Sequence, residues 1–234
     1  MRKFLFAFAV SACTAASAQN VLDTANQRQP HEYGVFAQYG NGVTDNRNAY
    51  HFLAAGLSAG RVLTNNHGAG LFRFNFEYAA EVLPYWQSFT PKFQRVRITP
   101  IAGSSLVNVS APYAVGGTFT GASITPIILR LNFPGRGKFS PWMQAAGGLL
   151  WTNHKYPAYG STDPLNLTQN GPNGETSVWN FTPQGGIGVH YFTRKDRSID
   201  FSVNAEHISS ASLGDRNPGV NASLHFRVGY SWWK

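Results

Sequence analysis

Alternation with a period of two runs through the chain. Between 72 and 82 the even positions Phe72, Phe74, Phe76, Tyr78, Ala80 and Val82 are apolar, while Arg73, Asn75, Glu77 and Glu81 stand at odd positions. Extended as a strand, such a segment has one greasy face and one wet face. The pattern returns at 199–206, with Ile199, Phe201, Val203 and Ala205 on the apolar side, and at 222–232, with Leu224, Phe226, Val228, Tyr230 and Trp232. Shorter versions lie at 129–133 and 179–184. The pattern predicts strands near 32–40, 50–62, 70–84, 119–133, 139–153, 176–193, 199–210 and 220–233, which makes eight. Segments 134–138 and 194–198 read as tight turns, and 85–118 and 154–175 as long loops rich in Gly, Pro, Asn and Ser.

Two architectures produce strands of this kind. In a soluble sandwich the apolar face is a core; in a transmembrane barrel it meets lipid and the polar face fills the interior. Three features favour the barrel. The polar faces carry both signs of charge on different strands (Arg73, Glu77, Arg130, Asp200, Glu206, Arg227), which can pair inside a narrow barrel. Aromatics crowd strand ends, as at Tyr230, Trp232 and Trp233, where membrane-interface girdles belong. The third is the N-terminus. Arg2 and Lys3 precede an apolar stretch from Phe4 to Ala12 and a small-x-small site at Ala16-Ser17-Ala18, the organisation of a secretory signal. The expected organisation is a signal peptide at 1–18, a periplasmic segment at 19–31 and an all-β, eight-stranded antiparallel transmembrane β-barrel at 32–234, located in the outer membrane. Alternating tight turns and long loops fit short periplasmic and long external connections, with both termini in the periplasm. Eight strands leave an interior filled by side chains, so an open pore is not expected.

Composition narrows the function. With 43% hydrophobic and 13% charged residues the chain is not disordered, and 24 glycines, 14% aromatics and two methionines argue against a helical bundle. A formal charge of +8 raises the question of an anionic partner. Because the cations are scattered singly through apolar, alternating segments, nucleic acid is not expected. The only cysteine, Cys13, lies in the leader, so the mature chain has no disulfide or Cys-based metal site. Val10-Ser11-Ala12-Cys13 also reads as a lipoprotein box, with Cys13 as the lipidated residue.

On the seventh strand the parity that turns Ile199, Phe201, Val203 and Ala205 to lipid also turns His207 and Ser209 outward, near the external end. Two residues on one strand face lie about 7 Å apart, within reach for an imidazole to accept a serine proton, the minimum unit of serine nucleophilic catalysis. The triplet is equally what a strand shows when it leaves the hydrocarbon and enters the headgroup zone. The other histidines suggest no metal cluster: His190 and His225 project inward, while His31, His51, His67 and His154 are expected in tails, turns and a loop.

The longer stretch Ala205-Glu206-His207-Ile208-Ser209-Ser210-Ala211, followed by Asn217-Pro218-Gly219-Val220-Asn221, resembles the C-terminal signature of the PagL-type lipid A 3-O-deacylases and their acyloxyacyl hydrolase-like relatives. Phe76 to Pro84 is also similar to a segment of those relatives. The resemblance implies an eight-stranded outer-membrane barrel and a hydrolase that removes the ester-linked 3-acyl chain of lipid A. It makes His207 the general base and Ser209 the nucleophile. The oxyanion-stabilising Asn of the family is Ser210 here, the family's acid falls at Asn221, and Asn217 and Gly219 match its loop, where Asn-Pro-Gly also makes a strong turn. An amide orients an imidazole but does not neutralise an imidazolium. Of the nearby acids, Glu206 points inward by parity and Asp215 lies in the loop. The reading is a serine esterase with no metal or cofactor. Its partners are lipid A or lipopolysaccharide, the outer membrane and, through the last strand, the barrel-assembly machinery, and a homodimer is compatible with the sequence. Lys92, Arg95, Arg97 and Arg216 are candidates to meet lipid A phosphates, or form an ordinary solvated face. The alternative is a non-enzymatic or catalytically lapsed barrel with a structural or surface-interaction role, which Ser210 and Asn221 favour.

Overall fold

A computed structural model describes residues 30–44, 47–96, 98–135, 137–156, 177–211, 213 and 222–234. The strands are β1 (His31–Gly42), β2 (His51–Val62), β3 (Asn75–Arg95), β4 (Ile98–Pro100), β5 (Val107–Val109), β6 (Tyr113–Asn132), β7 (Phe139–Thr152), β8 (Trp179–Phe181), β9 (Gln184–Arg194), β10 (Arg197–His207) and β11 (Ala222–Trp233). They pair antiparallel in the order β6-β3-β2-β1-β11-β10-β9-β7, and a β6–β7 ladder closes the circle. β8 and β9 are two parts of one wall strand interrupted at Pro183, so the closed barrel has eight strands. Closure removes every free edge, which a lipid-embedded sheet requires. Among the described residues no helix is long and apolar enough to cross a membrane.

The termini meet. His31 N–H donates to Lys234 O (2.7 Å) and Lys234 N–H to His31 O (2.9 Å). The strand ends joined by the short connections 133–138 and 195–196 are at this end, whereas the strand ends separated by 153–178 and 208–221 are at the other. That asymmetry places the termini at the periplasmic end and β10's C-terminus at the external end. Burial alternates along the strands as the sequence pattern requires, with Tyr33, Val35 and Tyr39 outside and Glu32, Gln38 and Gly40 inside β1.

Three expectations fail, each for a physical reason. The expected 85–118 loop is mostly sheet: β3 and β6 stay paired to Arg95↔Tyr113, and β4–β5 forms a further hairpin above them. Pro84 and Pro91 fall where the β3–β6 register shifts, and Pro126 where the β6–β7 register shifts, so bulges absorb the missing donors without ending the strands. Opposite Pro91, Gly116 and Gly117 take φ of 85° and 102°, which a side chain would resist. At its other end β3 begins at Asn75, five residues later than expected, because Gly70–Phe72 forms a short 3-10 turn. Trp233 is the third failure: it is buried against Phe192 and Val62 and donates to Ser198 Oγ (3.0 Å) instead of joining the outer girdle, which keeps Tyr230 and Trp232.

The interior has two storeys. Toward the periplasm it is polar and paired: Arg130 reaches Glu32 (2.6 Å) and Glu77 (3.1 Å), Arg227 reaches Glu81 (2.5 Å), and His190 Nδ1 meets Asp200 (2.7 Å). Arg73, expected inside with these charges, precedes β3 and is exposed. Toward the outside the filling is aromatic, with Tyr50, Phe52, Trp86, Phe119 and Tyr156 packed with Leu150 and Ile208. The Arg47 guanidinium sits 5.0 Å from both the Tyr50 and Tyr156 ring centres, and Tyr156 shares a hydrogen bond with Ser88 Oγ (2.8 Å). Burial pushes the Tyr156 phenol above its ordinary range, so it stays neutral as a plug residue.

Candidate functional site

β10 carries the candidate chemistry. Its outward residues Phe201, Val203 and Ala205 are followed by His207 and Ser209, both half-buried, while Glu206, Ile208 and Ser210 are buried between them. Alternation thus continues past the formal end of the strand, and three backbone bonds hold it there. His207 N–H donates to Pro183 O (3.0 Å), Ser209 N–H to Phe181 O (2.9 Å) and Phe181 N–H to Ser209 O (2.6 Å). On the other side His207 pairs with Ala222 of β11. Ile208 is the inward anchor, 2% exposed within the aromatic plug.

Beyond Ser209 the chain turns sharply. Ala211 N–H donates to Ser209 Oγ (3.2 Å), Leu213 N–H to Ser210 O (2.8 Å), and Ala211 has φ of 45°. A non-glycine residue in that region costs about 1 to 3 kcal/mol, and such strain clusters at functional sites. Beside Ser209 on the outer wall stand Trp151, Trp179 and Phe181, with Trp151 opposite Trp179 in register. Further down the same wall a depression of about 650 Å³ crosses β7, β9, β10 and β11, lined by Met143, Ile187, Val189, Phe201, Val203 and Phe226.

His207 and Ser209 are brought together on one face. Ser210 is not on it. Its hydroxyl is fully buried on the inward side and has no hydrogen-bond partner among the described residues, so the side chain expected to hold an oxyanion faces away from Ser209. Glu206 is buried inside, as parity predicts. Asn221, Asn217, Gly219, Asp215, Arg216, Arg97, Cys13 and the signal segment lie outside the described residues. Lys92 is exposed on the external extension of β3.

Two histidines stand out. His190 joins Glu32 and Asp200 in a group whose ligand-type atoms lie within 4.8 Å of one another, but Glu32 is committed to Arg130 and Ser231, and Asp200 to His190, Ser198 and Ser231. The group reads as interior pairing. His51 is not in a turn: it opens β2, opposite Asn41, and takes part in an outward polar cluster. The signal for that cluster was present in the odd parity of Tyr39 and Asn41, but the cross-strand partner is set by register.

A sequence profile described as lipid A 3-O-deacylase (PagL) matches residues 24–231. No curated protein matches the chain. Among solved structures, the outer-membrane enzyme PagL superposes with a TM-score of 0.46 at 13% identity, covering 85% of this chain and 98% of that one. Neisserial surface protein A gives 0.45 at 12%, covering 86% and 96%. Ail of Yersinia pestis, in complex with the heparin analogue sucrose octasulfate, gives 0.45 at 11%, covering 88% and 99%.

Proposed function

The chain belongs to the lipid A 3-O-deacylase (PagL) family, and from that premise we propose that it hydrolyses the ester-linked 3-acyl chain of lipid A in the outer membrane through Ser209 and His207. The observation that carries this reading is the shared outward face of the two residues at the external end of β10, fixed from behind by Ile208. The ester of a lipid in the outer leaflet approaches the barrel from its flank, so a lipid-facing site needs no pore.

The reaction follows from the groups present. His207 takes the proton of Ser209 Oγ, which attacks the acyl carbonyl to give a tetrahedral oxyanion. The Ala211 N–H donates to Ser209 Oγ before attack and, released from it as Oγ bonds to carbon, turns to the adjacent oxyanion in the donor role expected of Ser210. Collapse breaks the bond to the sugar oxygen, which receives the proton from His207. Water, deprotonated by His207, then cleaves the acyl-serine and releases the fatty acid. Trp151, Trp179, Phe181 and the depression below them offer the departing chain an apolar path. Asn221 stands where the family has its acid, and an amide does not neutralise an imidazolium as a carboxylate does.

The second reading, a barrel whose catalysis has lapsed, is favoured by Asn221 and by the burial of Ser210. One measurement separates the two: mass spectrometry of lipid A incubated with the refolded protein beside Ser209→Ala. Loss of one 3-hydroxyacyl mass that Ser209→Ala abolishes supports the deacylase. Intact lipid A with the native sequence supports the lapsed barrel.

A further inference from the structure

On the outer wall, two strands away from the site, β1 and β2 carry a polar cluster near the external rim. Tyr39 O–H donates to Asn41 Oδ1 (3.0 Å) and lies 2.9 Å from His51 Nδ1, which in turn is 2.7 Å from Asn41 Oδ1. The Tyr39 and His51 rings stack with centroids 6.2 Å apart. All three side chains belong to the outward face, and Asn41 and His51 are direct cross-strand partners. Polar groups on a lipid-facing wall are disfavoured in the hydrocarbon and tolerated toward the interface, yet interface tolerance alone does not lock three side chains onto one another. The locking fixes their positions: His51 Nδ1 is engaged, and its Nε2 has no partner among the described residues.

Register relates the cluster to the site. His207 pairs with Ala222, two residues from Leu224 on the same outward face of β11; Leu224 pairs with Asn41, and Asn41 with His51. At a strand spacing of about 4.8 Å and a rise of about 3.3 Å per residue, His51 lies about 14 Å across the strands from β10 and about 7 Å along them from the level of His207. Phe226 on β11 and Phe89 on β3 border the cluster with exposed rings. A trio of hydroxyl, amide and imidazole between aromatic faces, with no Lys or Arg in it, suits the hydroxyl and amide groups of a sugar ring better than a phosphate.

We propose that Tyr39, Asn41 and His51 form a saccharide subsite that holds the non-reacting sugar of a disaccharide glycolipid while the other sugar presents its ester to Ser209. The inference rests on the reading of the His207/Ser209 site and names how that site measures its substrate. The headgroup lies along the interface, bridging β11, so the cluster selects a two-sugar headgroup over a one-sugar one.

The test is binding to the Ser209→Ala barrel in detergent micelles, followed by native mass spectrometry. The probes are lipid A and an acylated glucosamine 1-phosphate of a single sugar. Asn41→Ala with His51→Ala is expected to weaken lipid A about tenfold and the one-sugar lipid less than about twofold. Tyr39→Phe, which keeps the ring and loses the O–H, gives a smaller loss of the same kind. Equal weakening of both lipids, or no weakening of either, overturns the subsite. Hydrolysis of lipid A by the native chain is followed in parallel: its absence removes the catalytic reading while a selective binding loss leaves the subsite standing.

Discussion

Phe181 and Ser209 are joined backbone to backbone by two hydrogen bonds of 2.6 and 2.9 Å, an isolated bridge beyond the end of β10. Phe181 ends β8, and the break at Pro183 lets that fragment turn its polar backbone to the continuation of β10. Ser209 is therefore held by sheet-like bonding on one side, while the Ala211 turn shapes the other. Its backbone is as fixed as a strand, and its side chain stands where the external loops begin.

Ile208 transmits this order to the interior. Truncating it in Ile208→Ala leaves a cavity in the aromatic plug, with a stability cost of about 2 to 4 kcal/mol. Because Ile208 touches no substrate, kcat is expected to fall about tenfold with little change in KM, and Ile208→Val to recover most of it. A fall confined to KM, or no kinetic change in folded protein, shows that the anchor does not position Ser209.

Arg130 links Glu32 and Glu77 across the barrel and stacks its guanidinium 4.6 Å from the Trp142 ring centre. Arg130→Ala strands two buried carboxylates, so a loss of about 3 to 5 kcal/mol is expected in urea unfolding followed by heat-modifiable electrophoretic mobility. Adding Glu77→Gln recovers part of the loss. A double variant no more stable than Arg130→Ala would mean that charge stranding is not the cause.

Close approach sets the role of the glycines in β9. A Cβ at Gly188 would strike the Trp142 indole and the Phe201 carbonyl, whereas one at Gly147 on β7 meets nothing within 4 Å. Gly188→Val is expected to prevent formation of the heat-modifiable barrel, and Gly147→Ala to leave it unchanged. Equal behaviour of the two variants contradicts this packing.

At Asn221 the expected gain is catalytic. Asn221→Glu restores a carboxylate for the His207 imidazolium and should raise deacylation about tenfold or more, read by the rate of fatty-acid release. A rate at or below that of the native chain would show that another group already supplies the acid, or that the site has lapsed beyond this one position.

The sequence by itself determined the class of fold, the face of each strand and the outward placement of His207 and Ser209. Period-two alternation is a local property, and parity carries it from residue to residue without knowledge of neighbours. It missed the β3–β6 extension because prolines and glycines read locally as loop, whereas paired bulges absorb them only when a partner strand exists. It placed Ser210 beside Ser209 in the chain, and the closed sheet turned that hydroxyl inside. It scattered His51 among turns, and only the register of β1 with β2 brought it to Asn41 and Tyr39. What lies across a strand pair depends on register and closure, which are fixed by the whole sheet, so the tertiary structure alone decided which polar groups meet.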